Sequence, residues 1–106
     1  MKFVSTRGQT PSVSFTEAVA IGLAPDGGLF VPETLPDLGA MFHDWQDYSY
    51  EAICFEFLKI FATDIEPSVL KSLVERSYSV FDSVERAPLK QLSNDLFVLE
   101  LFHGPT

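Results

Sequence analysis

Gly22-Leu23-Ala24-Pro25-Asp26-Gly27-Gly28-Leu29-Phe30-Val31-Pro32 packs a helix stop, a tight turn and a short strand into one stretch. Proline presets φ early in the turn and the two glycines supply positive φ, so the chain is expected to reverse between Ala24 and Gly28. The apolar trio Leu29-Phe30-Val31 then reads as a strand that Pro32 stops. Upstream, Ser14-Phe15-Thr16-Glu17 has the form of a capping box, in which the Ser14 hydroxyl accepts from the Glu17 amide and the Glu17 carboxylate accepts from the Ser14 amide. The pattern predicts a helix from this cap to Gly22, carrying Phe15, Ala18, Val19 and Ile21 inward. Further upstream, Lys2-Phe3-Val4-Ser5-Thr6 is rich in β-formers and closes at Arg7-Gly8 and Pro11, the pattern of a strand entering a loop.

Downstream, Pro32, Pro36 and Gly39 argue for an irregular connection. Ser49 is placed to cap a second helix, in which Tyr50, Ile53, Cys54, Phe57, Leu58 and Phe61 form one buried stripe. Glu51, Glu56, Lys59 and Thr63 occupy the opposite arc, and Phe55 falls among them, where it is exposed unless something covers it. Pro67 opens a third helix with Val69, Leu70, Leu73, Val74 and Tyr78 on its apolar face, ending between Tyr78 and Phe81. Leu89–Leu92 and Leu96–Leu101 flank Ser93-Asn94-Asp95 and read as a hairpin. Its second strand is apolar on both faces, which predicts a central strand covered on each side. The fold class expected is α+β: three helices on short, mostly antiparallel strands, the last two forming a C-terminal hairpin. The whole of 1–106 reads as one domain.

Fifteen acidic against seven basic residues give a formal charge of −8, a field that repels nucleic acid and anionic lipid. Neither is expected as a partner. Cys54 is the single cysteine, so an intrachain disulfide and a cysteine-based zinc site are both excluded, and no other metal-ligand pattern is present. No secretory signal or bilayer-length apolar run stands out, and a cytoplasmic location is the expectation. The composition is 46% hydrophobic, with ten phenylalanines; this is enough to fold, and the aromatic load also suits a surface made for a neighbour.

The candidate site elements are Arg7-Gly8, Asp26-Gly27-Gly28 and His103-Gly104-Pro105-Thr106. None is specific alone: an Asp-Gly-Gly turn is explained by glycine's conformational freedom, and a lone histidine after a strand is ordinarily structural. No paired carboxylates, nucleophile triad or phosphate-cradling glycine loop is present, so no residue is assigned a catalytic role. Thr106, following an apolar strand and His103-Gly104-Pro105, suits the N-cap of a further helix.

Ser5-Thr6-Arg7-Gly8, Val13-Ser14-Phe15, the stretch from Gly22 to Pro32 and Leu99-Glu100-Leu101-Phe102-His103-Gly104-Pro105-Thr106 together resemble threonine synthases, within the fold-type II pyridoxal-phosphate enzymes. The terminal motif is the most specific part. Arg76-Ser77-Tyr78 and Phe42-His43-Asp44-Trp45 resemble the longer, fungal-type branch. The resemblance implies a parent enzyme that uses pyridoxal phosphate to convert O-phosphohomoserine and water to threonine and phosphate. It also implies that a cofactor lysine follows the motif ending at Thr106, in a Phe-Lys-Asp segment beyond these residues. On that reading the chain is an inactive N-terminal part, binding no cofactor alone, whose partners are the remaining domains of the same protein. His103 and Thr106 would line the pocket, with Arg7 and Asp26 further out. The alternatives are a threonine-synthase-like phospho-lyase, which releases a keto acid instead, and an autonomous acidic binding module with Phe55 on its contact face.

Overall fold

The capping box forms as the sequence predicts: the Glu17 amide donates to Ser14 Oγ at 3.3 Å and the Ser14 amide donates to the Glu17 carboxylate at 2.8 Å. It starts helix α1 (Phe15–Ile21), which Gly22 ends with a φ of 78°. The computed structural model describes residues 1–105. Strand β1 (Phe3–Ser5) precedes α1 and strand β2 (Phe30–Pro32) follows it. The two pair antiparallel, with Val4 opposite Val31 and Ser5 opposite Phe30. Turn, helix and strand therefore form one unit, closed by a single backbone bridge between Phe3 and Val13.

Helix α2 (Gly39–Trp45) occupies a stretch for which the sequence predicted no helix. It is short and its N-cap, Leu38, makes no side-chain cap bond; the Gly39 amide donates instead to Asp37 Oδ1 at 2.9 Å, one residue before the usual cap position. Trp45 is its one buried residue, and the Phe42 ring of the same helix lies edge-on to it at 6.0 Å. Helices α3 (Tyr50–Phe61) and α4 (Pro67–Ser79) follow, with Ser49 as N-cap of α3 and Pro67 at the first position of α4.

The two helices pack against each other along part of the predicted stripe: the Tyr50 ring meets the Tyr78 ring edge-on at 5.1 Å, and Cys54 Sγ lies 3.8 Å from the Tyr78 hydroxyl. Phe57 is 41% exposed and Tyr50 is exposed too, whereas Phe55 is half-buried. Phe55 lies on the side of α3 that faces α4, where it lines a cavity together with Lys71, Val74 and Glu75 of that helix. Lys59 Nζ also stands 5.1 Å from the Phe55 ring. Leu70 and Val74 are buried as predicted, while Val69 and Leu73 remain exposed. In α1, Phe15 and Ala18 are half-buried, but Val19 is 67% exposed and Ile21 is also exposed, contrary to the inward face expected of them.

Strands β3 (Leu89–Ser93) and β4 (Leu96–Leu99) form the expected hairpin, with a register shift between Gln91 and Ser93. It is a separate two-stranded sheet, and every residue of both strands is exposed. The sequence predicted a central, doubly covered strand running to Leu101; within the described residues β4 has β3 on one edge and no protein over either face. Two strands without a packed face are marginal by themselves.

Buried apolar residues are few: Phe3, Ala24, Trp45, Ala62, Leu70 and Val74. The radius of gyration is 16.4 Å, against about 13 Å for a compact chain of this length. The architecture is the predicted α+β class, with four helices instead of three and two small antiparallel sheets. Among the described residues, no helix is long and apolar enough to cross a membrane.

Candidate functional site

Antiparallel pairing of β1 with β2 brings two of the predicted residues together. Asp26 lies in the turn before β2, and its carboxylate is an acceptor hub. Oδ1 accepts from Ser5 Oγ at 2.7 Å and from the Gly28 amide at 2.9 Å, and Oδ2 accepts from the Gln9 amide at 2.9 Å. Ser5 Oγ in turn accepts from the Arg7 amide at 3.2 Å, while Arg7 Nη1 donates to the Asp26 carbonyl at 3.0 Å. One strand higher, the Leu29 amide donates to Thr6 Oγ1 and the Thr6 amide to the Leu29 carbonyl. The turn is closed by the Gly27 amide on the Ala24 carbonyl at 2.8 Å.

The glycines of this turn are sterically required. Gly27 has a φ of 83°, and a Cβ there would lie 2.6 Å from Arg7 Nη1. A Cβ on the buried Gly28 would lie 2.2 Å from Ser5 Oγ. The Ser5 hydroxyl is the largest influence on the Asp26 carboxylate; desolvation, the next largest, opposes it, but the Gly28 amide, the Thr10 hydroxyl and the Gln9 amide add to the Ser5 bond and the pKa is lowered to about 2. A carboxylate so fully engaged and so acidic is poorly suited to take a proton near neutral pH. The arrangement fixes the Arg7 loop against the turn. Arg7 forms no salt bridge among the described residues, so its exposed guanidinium keeps its charge facing solvent.

His103 has a different set of neighbours. Its Nε2 lies 3.0 Å from Glu100 Oε1, and its ring is tilted against Phe102 at 4.7 Å. The Glu100 amide donates to the Pro88 carbonyl at 2.9 Å, which ties this pair to the base of the hairpin. Gly104 follows with a φ of 126°. The structure thus joins Arg7 to Asp26 and joins His103 to Glu100, as two distinct groups. Thr106, the fourth predicted residue, lies outside the described residues.

Ser5 and Glu100 were not among the residues predicted, although each leaves a trace in the sequence. Ser5 shares the inward parity of Phe3 in β1, and a buried hydroxyl needs a partner. Glu100 is the one charge in the apolar run from Leu96 to Phe102, three residues before the histidine. A third network is structural. Asp64, between α3 and α4, accepts from the amide and hydroxyl of Thr16 and holds the start of α1. Those bonds, the hydroxyl first, lower its pKa. No cluster of three or more histidine, cysteine or acidic side chains able to hold a metal ion occurs among the described residues.

Two hydrogen-bonded anchors, a sparse core and a hairpin exposed on both faces define the class of this segment: an α+β unit with much of its apolar surface open among the described residues. Comparisons with known proteins give its family. The profile described as "Threonine synthase N terminus" matches residues 2–78. The threonine synthase of Schizosaccharomyces pombe is 48% identical over 109 residues, an alignment that takes in 100% of this chain and 21% of that protein. Human threonine synthase-like 2 is 42% identical over 109 residues, covering 100% of this chain and 22% of its own length. A crystal structure of PLP-bound threonine synthase from Brucella melitensis superposes with a TM-score of 0.89 at 37% identity, covering 99% of this chain and 23% of that one. The chain belongs to the threonine synthase N-terminal family, and it spans about a fifth of the length of the curated relatives it matches.

Proposed function

We propose that this chain is the N-terminal domain of a cytoplasmic, pyridoxal-phosphate-dependent threonine synthase, which converts O-phosphohomoserine and water to threonine and phosphate. Its own part in that reaction is architectural. The observation that carries the reading is the family match, supported by end-to-end structural likeness to a PLP-bound threonine synthase.

The described residues do not fit the cofactor itself. Among the lysines, Lys71 borders a cavity of about 410 Å³, but Glu51, Glu56 and Glu75 line it too. Three carboxylates make a poor seat for a phosphate group. The cofactor, when bound to the whole enzyme, supplies an electron sink for carbanion chemistry, and the remaining domains must hold it. The residues described here orient and frame. The Asp26 hub sets the Arg7 loop, and the Glu100 contact sets His103, our candidates for the outer and inner wall of the pocket. Thr106 belongs to the same proposed wall.

A second reading has specific support, since human threonine synthase-like 2 is similar over the whole chain. On that reading the parent of this chain is a phospho-lyase that releases phosphate with a keto acid in place of threonine. One experiment tests both. The matching segment of the S. pombe enzyme is replaced by this chain, pyridoxal phosphate and O-phosphohomoserine are added, and products are analysed by mass spectrometry. Phosphate with threonine is the expected result. No phosphate release contradicts both, and the full-length parent of this chain, given the same cofactor and substrate, separates them: phosphate with a keto acid there establishes the second reading.

A further inference from the structure

We infer that Phe81 is a positioning residue for His103-Gly104-Pro105, acting as the seat against which Gly104 lies; the inference rests on the threonine synthase reading above. A Cβ placed on Gly104 would stand 2.9 Å from Phe81 Cζ and 3.2 Å from both Cε1 and Cε2, so the tip of the ring occupies the space a side chain would need. Gly104 also has a φ of 126°, which L side chains rarely adopt. The contact spans the sequence from just past the end of α4 to the segment after the hairpin, and neither local propensity nor chain continuity enforces it.

The seat is itself held in place. The Phe81 amide donates to the Tyr78 carbonyl at 3.1 Å, and the two rings are tilted together at 5.0 Å. Arg86 stacks its guanidinium 5.6 Å from the ring centroid. That guanidinium is clamped by Glu51 of α3, with Nε at 2.9 Å and Nη2 at 2.8 Å from Oε1, and it also donates to the Ser83 carbonyl. The ring also borders a cavity of about 300 Å³ that includes Cys54, Leu70 and Leu73 in its lining, so the Arg86 stack and the Tyr78 contact are the packing that holds it. On the far side His103 is fixed by Glu100 and Phe102. A line of contacts, Glu51 to Arg86 to Phe81 to Gly104, thus transmits the position of the α3 and α4 pair to the histidine.

The test uses the S. pombe threonine synthase carrying this chain in place of its matching segment, loaded with pyridoxal phosphate. Phe81→Leu removes the ring tip. Phe81→Tyr adds a hydroxyl at Cζ, the atom that abuts Gly104, so a seat rejects it although ordinary packing of a half-exposed ring accepts it. Both variants are expected to lower kcat for phosphate release about tenfold or more, since small displacements of positioned groups are costly, with KM for O-phosphohomoserine and the melting temperature nearly unchanged. Cofactor affinity, read from absorbance titration, is expected to weaken in parallel. Wild-type kcat and cofactor affinity in Phe81→Tyr overturn the inference. If the Phe81 variants lose cooperative melting, Arg86→Gln keeps the ring and removes its clamp: reduced kcat then supports the seat and unchanged kcat overturns it. An unmutated chimera that releases no phosphate sinks the threonine synthase reading and this inference with it. An active chimera with indifferent variants sinks the inference alone.

Discussion

Gly28 and Asp26 carry most of what is specific in the turn before β2. A Cβ on Gly28 would meet Ser5 Oγ at 2.2 Å, and Ser5 cannot retreat without giving up its bond to Asp26. Gly28→Ala is expected to cost about 1–3 kcal/mol, the usual range for overpacking, seen as a lower urea midpoint with an unchanged slope. Acid titration should report on the same hub. Because the folded-state pKa of Asp26 is lowered from 3.8 to about 2, the unfolded chain takes up the proton first as pH falls. The contribution is complete above the ordinary carboxylate range and is lost as pH drops through it towards the lowered value. The lowered pKa of Asp64 acts in the same direction. Melting temperature measured against pH should fall in that window, and less steeply in Ser5→Ala, which lacks the largest contributor to the Asp26 shift. The presence of an Asp-Gly-Gly turn was legible in the sequence, because Pro and Gly act through their own dihedrals. That the Asp26 carboxylate would receive Ser5 and the amide of Gln9 was not, because strand pairing alone brings those residues to it.

Helices and strands repeat the same division between local and tertiary information. The starts of α1, α3 and α4 were readable, since Ser14, Ser49 and Pro67 act within one turn of their own positions. Helix α2 lacks such a cap and was missed. The covered side of α3 was legible at Cys54 and Leu58 and not at Phe57: periodicity finds an apolar stripe, but which of its members are buried depends on where α4 lies, and Phe57 is left exposed while Phe55 is half-buried. Ser49 Oγ accepts from the Ala52 amide at 3.2 Å, and Ser49→Ala is expected to destabilise the chain by about 1 kcal/mol, measured as a fall in melting temperature. The apolar sequence of β4 predicted cover on both faces, whereas the described residues leave it bare. Amide hydrogen exchange should therefore be fast across β3 and β4 relative to α3 and α4 in the chain by itself.

At the scale of the whole molecule, a run of exposed apolar residues lies where the proposed framing role calls for a neighbour. Leu96, Phe97, Val98, Leu99, Leu101 and Phe102 all lie open at the hairpin and the segment after it. The isolated chain should accordingly bind a hydrophobic dye such as ANS, and the S. pombe chimera should bind less of it per molecule. The likeness to threonine synthases was readable from Ser5-Thr6-Arg7-Gly8 and the run from Leu99 to Thr106, because motifs survive as letters. The division of the candidate wall into an Arg7–Asp26 group and a His103–Glu100 group was not, because it depends on which elements meet. The most direct measurement is phosphate release from O-phosphohomoserine by three samples: the S. pombe enzyme lacking its matching segment, the same enzyme with this chain in that place, and this chain alone. A framing domain predicts turnover in the chimera and none in the other two samples. Turnover by the chain alone, or equal turnover with and without it, would contradict the account.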